Sequence, residues 1–168
     1  MLEIKFKIGR NERLYVSDEY ISNCHWAIRK DALSAYAPKS LLNAFKHVSK
    51  LQVGSYVLGY ALGRDELGID IGRAFRVSSS PIKKLSKEPC GVMFAPKGVH
   101  AYLFETVPVI GESNFKVAIN PNYVPLMALG ECYAPDSNGK VEIVNPDTGK
   151  TVAVIMPIRQ NNRFSKAS

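Results

Sequence analysis

Long apolar runs are missing from this chain of 168 residues. No stretch reaches the ~18 consecutive apolar residues that a membrane-spanning helix needs, so no span is expected. Cysteine is scarce: Cys24, Cys90 and Cys132 stand far apart and are odd in number. Such a set argues against a disulfide framework and for a reducing compartment. There is no C-x-x-C pair, so a zinc site made from these cysteines and a histidine has no spacing in its favour. The opening MLEIKFKIGR alternates apolar with charged residues and lacks the apolar core of a secretion signal, so the cytoplasm is the expected location. Acids are the minority charge, 15 against 22 Lys and Arg, a formal excess of +7 that suggests a polyanionic partner such as nucleic acid. No internal repeat and no low-complexity tract interrupts the chain. With 46% hydrophobic residues, it should fold around one core with a small N-terminal addition.

What is present reads as strands with a few short helices. Leu2, Ile4, Phe6 and Ile8 alternate with charges, a half-buried strand, and RLYVS returns as its hairpin partner. CHWAI suits a strand, and residues 29–36 a short helix stopped at Ala37-Pro38. Leu41, Leu42, Phe45, Val48 and Leu51 follow helical spacing, with Pro38 and Ser40 at the start and Gly54 as the stop. SYVLGYALG and ELGIDIG flank Arg64-Asp65 as a hairpin, and AFRVSSS suits a further strand. Residues 78–89 read as a basic loop, followed by strands in GVMFAP, VHAYLFETVPV and FKVAI. Residues 120–130 suit a helix with Pro121 and Pro125 near its first turn and Gly130 as its C-cap. KVEIVN and TVAVIMPI close the chain as a hairpin across Pro146–Gly149.

Several short motifs invite a chemical reading. Gly149-Lys150-Thr151 resembles the end of a phosphate loop, but position 144 is Val where that motif needs glycine, and a strand follows instead of a helix. Cys24-His25 invites a nucleophile and base; neighbours on a strand point to opposite faces and do not pair easily. Asp65, Glu66 and Asp70 are most simply hairpin and strand-edge charges. Trp26, Tyr36 and Tyr60 read as packing residues rather than a base-stacking platform. Lys39, Lys46 and Lys50 share one side of the helix at 39–51, where they can meet successive phosphates.

Two C-terminal blocks carry a family resemblance. Ile119-Asn120-Pro121-Asn122-Tyr123-Val124 and Val154-Ile155-Met156-Pro157-Ile158-Arg159 resemble, in order, two motifs of the last domain of the bacterial DNA polymerase III β sliding clamp. KSLLNAFKHVSKL with SYVLGYALGRDELGIDIG is more loosely similar to the first helix and hairpin of that domain. Ile119 and Ile158 stand where the family has Phe and Met. The short interval CYAPDSNG implies that one family strand is missing.

The resemblance implies an α+β, DNA-clamp-like single domain over residues 39–160, with two helices on a mainly antiparallel sheet. Residues 1–38 would form a β-hairpin and short helix as an N-terminal extension, and 161–168 a flexible tail. It implies a non-enzymatic replication factor without cofactor or metal. Asn120, Tyr123, Val154, Met156, Pro157, Ile158 and Arg159 would border a groove for a replication protein's peptide. Lys39, Lys46 and Lys50 would touch DNA without reading sequence. A ring of single domains would be a homo-oligomer joined head to tail. The alternatives are a small nucleic-acid or nucleotide enzyme using Cys24, His25, His100 or Asp65, and a basic viral or plasmid protein that binds a host factor.

Overall fold

The computed structural model describes residues 6, 8, 12–35, 37–46, 48, 52–57, 60–63, 71–76 and 81–160. β1 (Arg13–Val16), β2 (Tyr20–Ser22) and β3 (Trp26–Arg29) precede two short helices, α1 (Lys30–Ala35) and α2 (Lys39–Phe45). β4 (Gly54–Val57), β5 (Tyr60–Gly63), a 3-10 turn (Ile71–Phe75) and β6 (Lys83–Lys84) follow. β7 (Gly91–Ala95), β8 (Gly98–Glu105) and β9 (Lys116–Ile119) lead to a 3-10 helix, Pro121–Leu129. β10 (Glu131–Ala134), β11 (Val141–Val144) and β12 (Thr151–Ile155) complete the order.

The architecture is α+β, and every ladder among the described residues is antiparallel. Nine strands form one sheet in the order β5-β4-β1-β2-β3-β12-β11-β10-β6, and β7-β8-β9 form a second. Bridges between Leu85 and Thr106 and between Ala118 and Ile158 tie the two together. At the centre, β3 pairs with β12: Trp26 faces Ile155, Ala27 faces Val154 and Ile28 faces Ala153. Side-chain alternation then puts Trp26, Ile28, Ala153 and Ile155 on one face of the sheet, all buried. Leu41 and Phe45 of α2 cover that face, with Phe45 edge-on to Trp26 at 5.5 Å and Phe6 stacked on Phe45 at 5.1 Å. The 3-10 helix packs against β8, β11 and β12 and buries Leu126, Met127 and Leu129. On the other face, Arg29 reaches the Ile71–Phe75 turn, its guanidinium 5.1 Å from the Phe75 ring. No described helix is long and apolar enough to cross a membrane.

Several sequence expectations change. Residues 13–29 are not peripheral: β1, β2 and β3 lie inside the large sheet, between β4 and β12. Of the first expected strand only Phe6 and Ile8 are described, and the ladders of β1 go to β2 and β4. The lysine-bearing helix ends as an α-helix at Phe45, and Gly54 opens β4 instead of stopping a helix. The hairpin closes inside SYVLGYALG, with Val57 opposite Tyr60; Arg64 and Asp65 fall outside the described residues. Ile71–Phe75 is a 3-10 turn, not a strand. Residues 121–129 are 3-10 and not α, because the Pro125 ring has no N–H to give and would clash with the carbonyl four residues back. The interval CYAPDSNG is not strand-free: β10 runs into it, since Gly130 alone separates the 3-10 helix from Glu131. Gly130 is extended, φ 177°, and so is no left-handed cap; a Cβ there would lie 2.3 Å from the Val144 carbonyl oxygen.

Candidate functional site: a strand exit beside the Asn23 turn

The turn between β2 and β3 is built by two side chains. Asn23 Oδ1 accepts from the backbone N–H groups of His25 (2.8 Å) and Trp26 (2.9 Å), a local Asx arrangement. Ser22 Oγ accepts from Cys24 N–H at 3.0 Å and donates to the Trp26 carbonyl at 2.7 Å. The reversal is tight enough to hold Cys24 at φ 78°. Its consequence is that the His25 carbonyl accepts from Met156 N–H at 2.7 Å, so the end of β12 is pinned to this turn.

Beyond that pin the chain leaves the sheet in an extended ribbon. Ile158 N–H donates to the Ala118 carbonyl at 2.8 Å, and Gln160 N–H to Asn138 Oδ1 at 2.9 Å. Gln160 Nε2 also donates to the Lys116 carbonyl at 3.3 Å. The anchors fall on alternate residues, as an extended chain requires when one side faces the protein. Pro157, which has no N–H, occupies a position where none is needed. The backbone is thus fixed while Met156 stays 45% exposed, Arg159 is exposed, and Pro157 and Ile158 are half-buried.

Tyr123 reaches the same place from the 3-10 helix. Asn120 caps that helix, accepting from Asn122 N–H at 2.9 Å, and Tyr123 N–H donates to the Asn120 carbonyl at 2.9 Å. The Tyr123 ring is stacked near His25, with centroids 6.4 Å apart and planes 16° apart. Asn23 Nδ2 donates to Tyr123 Oη at 3.4 Å and also to Glu12 Oε1. Burial pushes the Tyr123 phenol pKa up and the Glu12 charge adds to this, while the Asn23 hydrogen bond opposes it. The ring is therefore neutral at ordinary pH.

The structure brings Tyr123, Asn120, Met156, Pro157 and Ile158 around one strand exit, with Arg159 following it. Val154 does not join them: it is 2% exposed and faces Ala27 inside the sheet, so it lines no surface. Glu12 and Asn23 escaped the sequence reading, and His25 entered it only as a base beside Cys24, although Ser22-Asn23 before a short strand is a turn signal. On α2, Lys39 and Lys46 are exposed on the side away from Leu41 and Phe45, and Lys50 lies outside the described residues.

The catalytic alternatives find little geometry. Cys24 and His25 sit on an exposed turn, His25 against Tyr123; His100 is exposed on β8, and Asp65 is not described. Cys132 is buried, whereas Cys24 and Cys90 are exposed. No group of three His, Cys, Asp or Glu among the described residues could hold a metal. Gly149 turns the β11–β12 hairpin at φ 73°, and Lys150 lies 3.9 Å from Asp31, both exposed. No protein-family model, curated protein or solved structure matches the chain.

Proposed function

We propose that the protein is a non-enzymatic, DNA-associated factor of sliding-clamp-like kind, which docks a short apolar peptide of a partner at the strand exit Met156–Arg159. The observation that carries this reading is an exposed methionine on a backbone held at three alternate residues. A flexible thioether side chain on a rigid support adapts to an apolar guest without the support having to be ordered. A Leu or Phe of the guest packs on Met156 and Ile158, with the Tyr123 ring and the Arg159 fork at the rim. Lys39 and Lys46, with Lys50 beyond them in sequence, contact DNA phosphates without reading bases.

Titration with a short peptide containing one central Leu and Phe pair tests the docking. Met156→Ala is expected to weaken binding by about 1–2 kcal/mol while melting like the parent. Replacing Lys39, Lys46 and Lys50 by Ala is expected to reduce the salt dependence of DNA binding by about two to three in logarithmic slope. A parent that binds no such peptide, or a slope unchanged in the triple variant, rejects the corresponding half.

A further inference from the structure

The edges of the two sheets are guarded unequally. β6 ends the large sheet with two lysines, whose ammonium groups lie 3.6 Å from Glu112 and 3.4 Å from Glu131. A short, charged edge resists pairing with other chains. β7 is the opposite case. It ends the small sheet, pairs among the described residues with β8 alone, and reads Gly-Val-Met-Phe-Ala, without charge or proline.

The hairpin that carries β7 projects from the core. Residues 94–100 are all exposed, Phe94 to 77%, and β9 supports only Tyr102–Glu105 of β8. Val92 lies opposite the buried Tyr102, and Phe94 opposite Val99. Alternation puts Val92 and Phe94 on one face, and the register shift between Met93 and Phe94 keeps their partners Tyr102 and Val99 on it, so an apolar stripe runs outward from the core along the arm. A two-stranded arm is marginal by itself in water. Here its outer strand also carries neither charge nor proline to keep other edges away, and its one irregularity is the register shift between Met93 and Phe94.

The charges at the two ends of the arm select the neighbour. Glu88 stands at its base and Lys97 at its tip, both exposed, and no acid lies between Cys90 and Phe104. We propose that β7 is the pairing edge of a two-fold homodimer, in which two copies join their small sheets antiparallel about Met93. Val92 of each copy then faces Phe94 of the other, and Lys97 of each arrives beside Glu88 of the other. Parallel pairing would instead set Lys97 against Lys97 and Glu88 against Glu88. The contact is isologous, and therefore closed at two copies. Two five-residue strands bury less than the ~1,200 Å² of a standard stable interface, so the dimer forms reversibly with concentration. None of these residues belongs to the strand exit, so this contact and the peptide site stand or fall separately.

Sedimentation velocity across a wide concentration range tests it. The parent is expected to pass from monomer to dimer, and Phe94→Lys to remain monomeric with an unchanged melting temperature. Glu88→Lys and Lys97→Glu should each weaken the dimer, and the double swap Glu88→Lys/Lys97→Glu should restore it. The proposal is overturned by a parent that stays monomeric at its highest concentration or forms larger rings. It is equally overturned by a dimer that survives Phe94→Lys, or by a double swap that fails to rescue.

Discussion

Neighbouring residues at the end of β12 have opposite duties. Ile155 is fully buried on the Trp26 face, and Met156, the next residue, is 45% exposed. Ile155→Ala is expected to cost about 2–5 kcal/mol of stability, and Met156→Ala to stay within about 0.5 kcal/mol. Paired denaturant titrations measure the contrast; equal losses would place Met156 in the core. Cys132 illustrates burial of another kind. Its thiol is fully buried, with the Met127 carbonyl 3.7 Å from the sulfur, and burial pushes its pKa from 9.0 up to about 12, against the pull of nearby Lys87. The unfolded chain releases this proton first, so the stabilisation is complete below pH 9 and is lost as pH rises towards about 12. Between those limits the parent should lose stability more steeply than Cys132→Ala in alkaline unfolding. A native thiol count should find Cys24 and Cys90 only, with Cys132 reacting after denaturation.

At the scale of elements, glycine matters for two separate reasons. Gly149 turns the β11–β12 hairpin in a left-handed conformation with open space around it, so Gly149→Ala should cost about 1–2 kcal/mol from backbone strain alone. Gly130 has an ordinary extended backbone but no room for a Cβ beside Val144, so Gly130→Ala forces β10 and β11 apart. It should cost about 1–3 kcal/mol by overpacking. Gly130→Asn, a side chain that tolerates left-handed positions, should be worse still, whereas Gly149→Asn should be nearly silent. Thermal melts of the four variants distinguish the two causes. The β11–β12 hairpin was legible because its signals are local: alternating apolar residues around Asn145–Lys150. The buried face of α2 was legible from the spacing of Leu41 and Phe45. The 3-10 form of residues 121–129 was less so, because the apolar spacing of Leu126 and Leu129 suits either helix and only Pro125 decides. Met156 and Tyr123 stand in the two blocks that carry the family resemblance, and a bridge between Ala118 and Ile158 joins those blocks. The contacts of Asn23 and His25 with Tyr123 were not legible, since they join parts of the chain far apart in sequence.

For the whole molecule, the large sheet leaves no seam at residue 38. β1, β2 and β3 join β4 on one side to β12 on the other, and Trp26 fills the space under Phe45. A fragment of residues 39–160 would lose three strands from the middle of the sheet and expose the apolar edge of β12. It is expected to give no cooperative melting transition and to aggregate; a folded fragment would show that the remaining strands close the gap.

The pairing of Ile28 with Ala153 also sets an order in time. A ribosome makes β3 well before β12, so the centre of this sheet cannot be assembled until the later strand has emerged. Until Thr151–Ile155 emerges, β3 carries an open edge beside α1 and α2, which are too short to hold their own shape in water. Hairpins such as β7–β8 and the turn fixed by Asn23 rest on local contacts and can begin to form before then. The closing of the sheet comes later than these, and is slow because it joins distant parts of the chain. Through this interval the newborn protein depends on whatever shields an open strand in the cell.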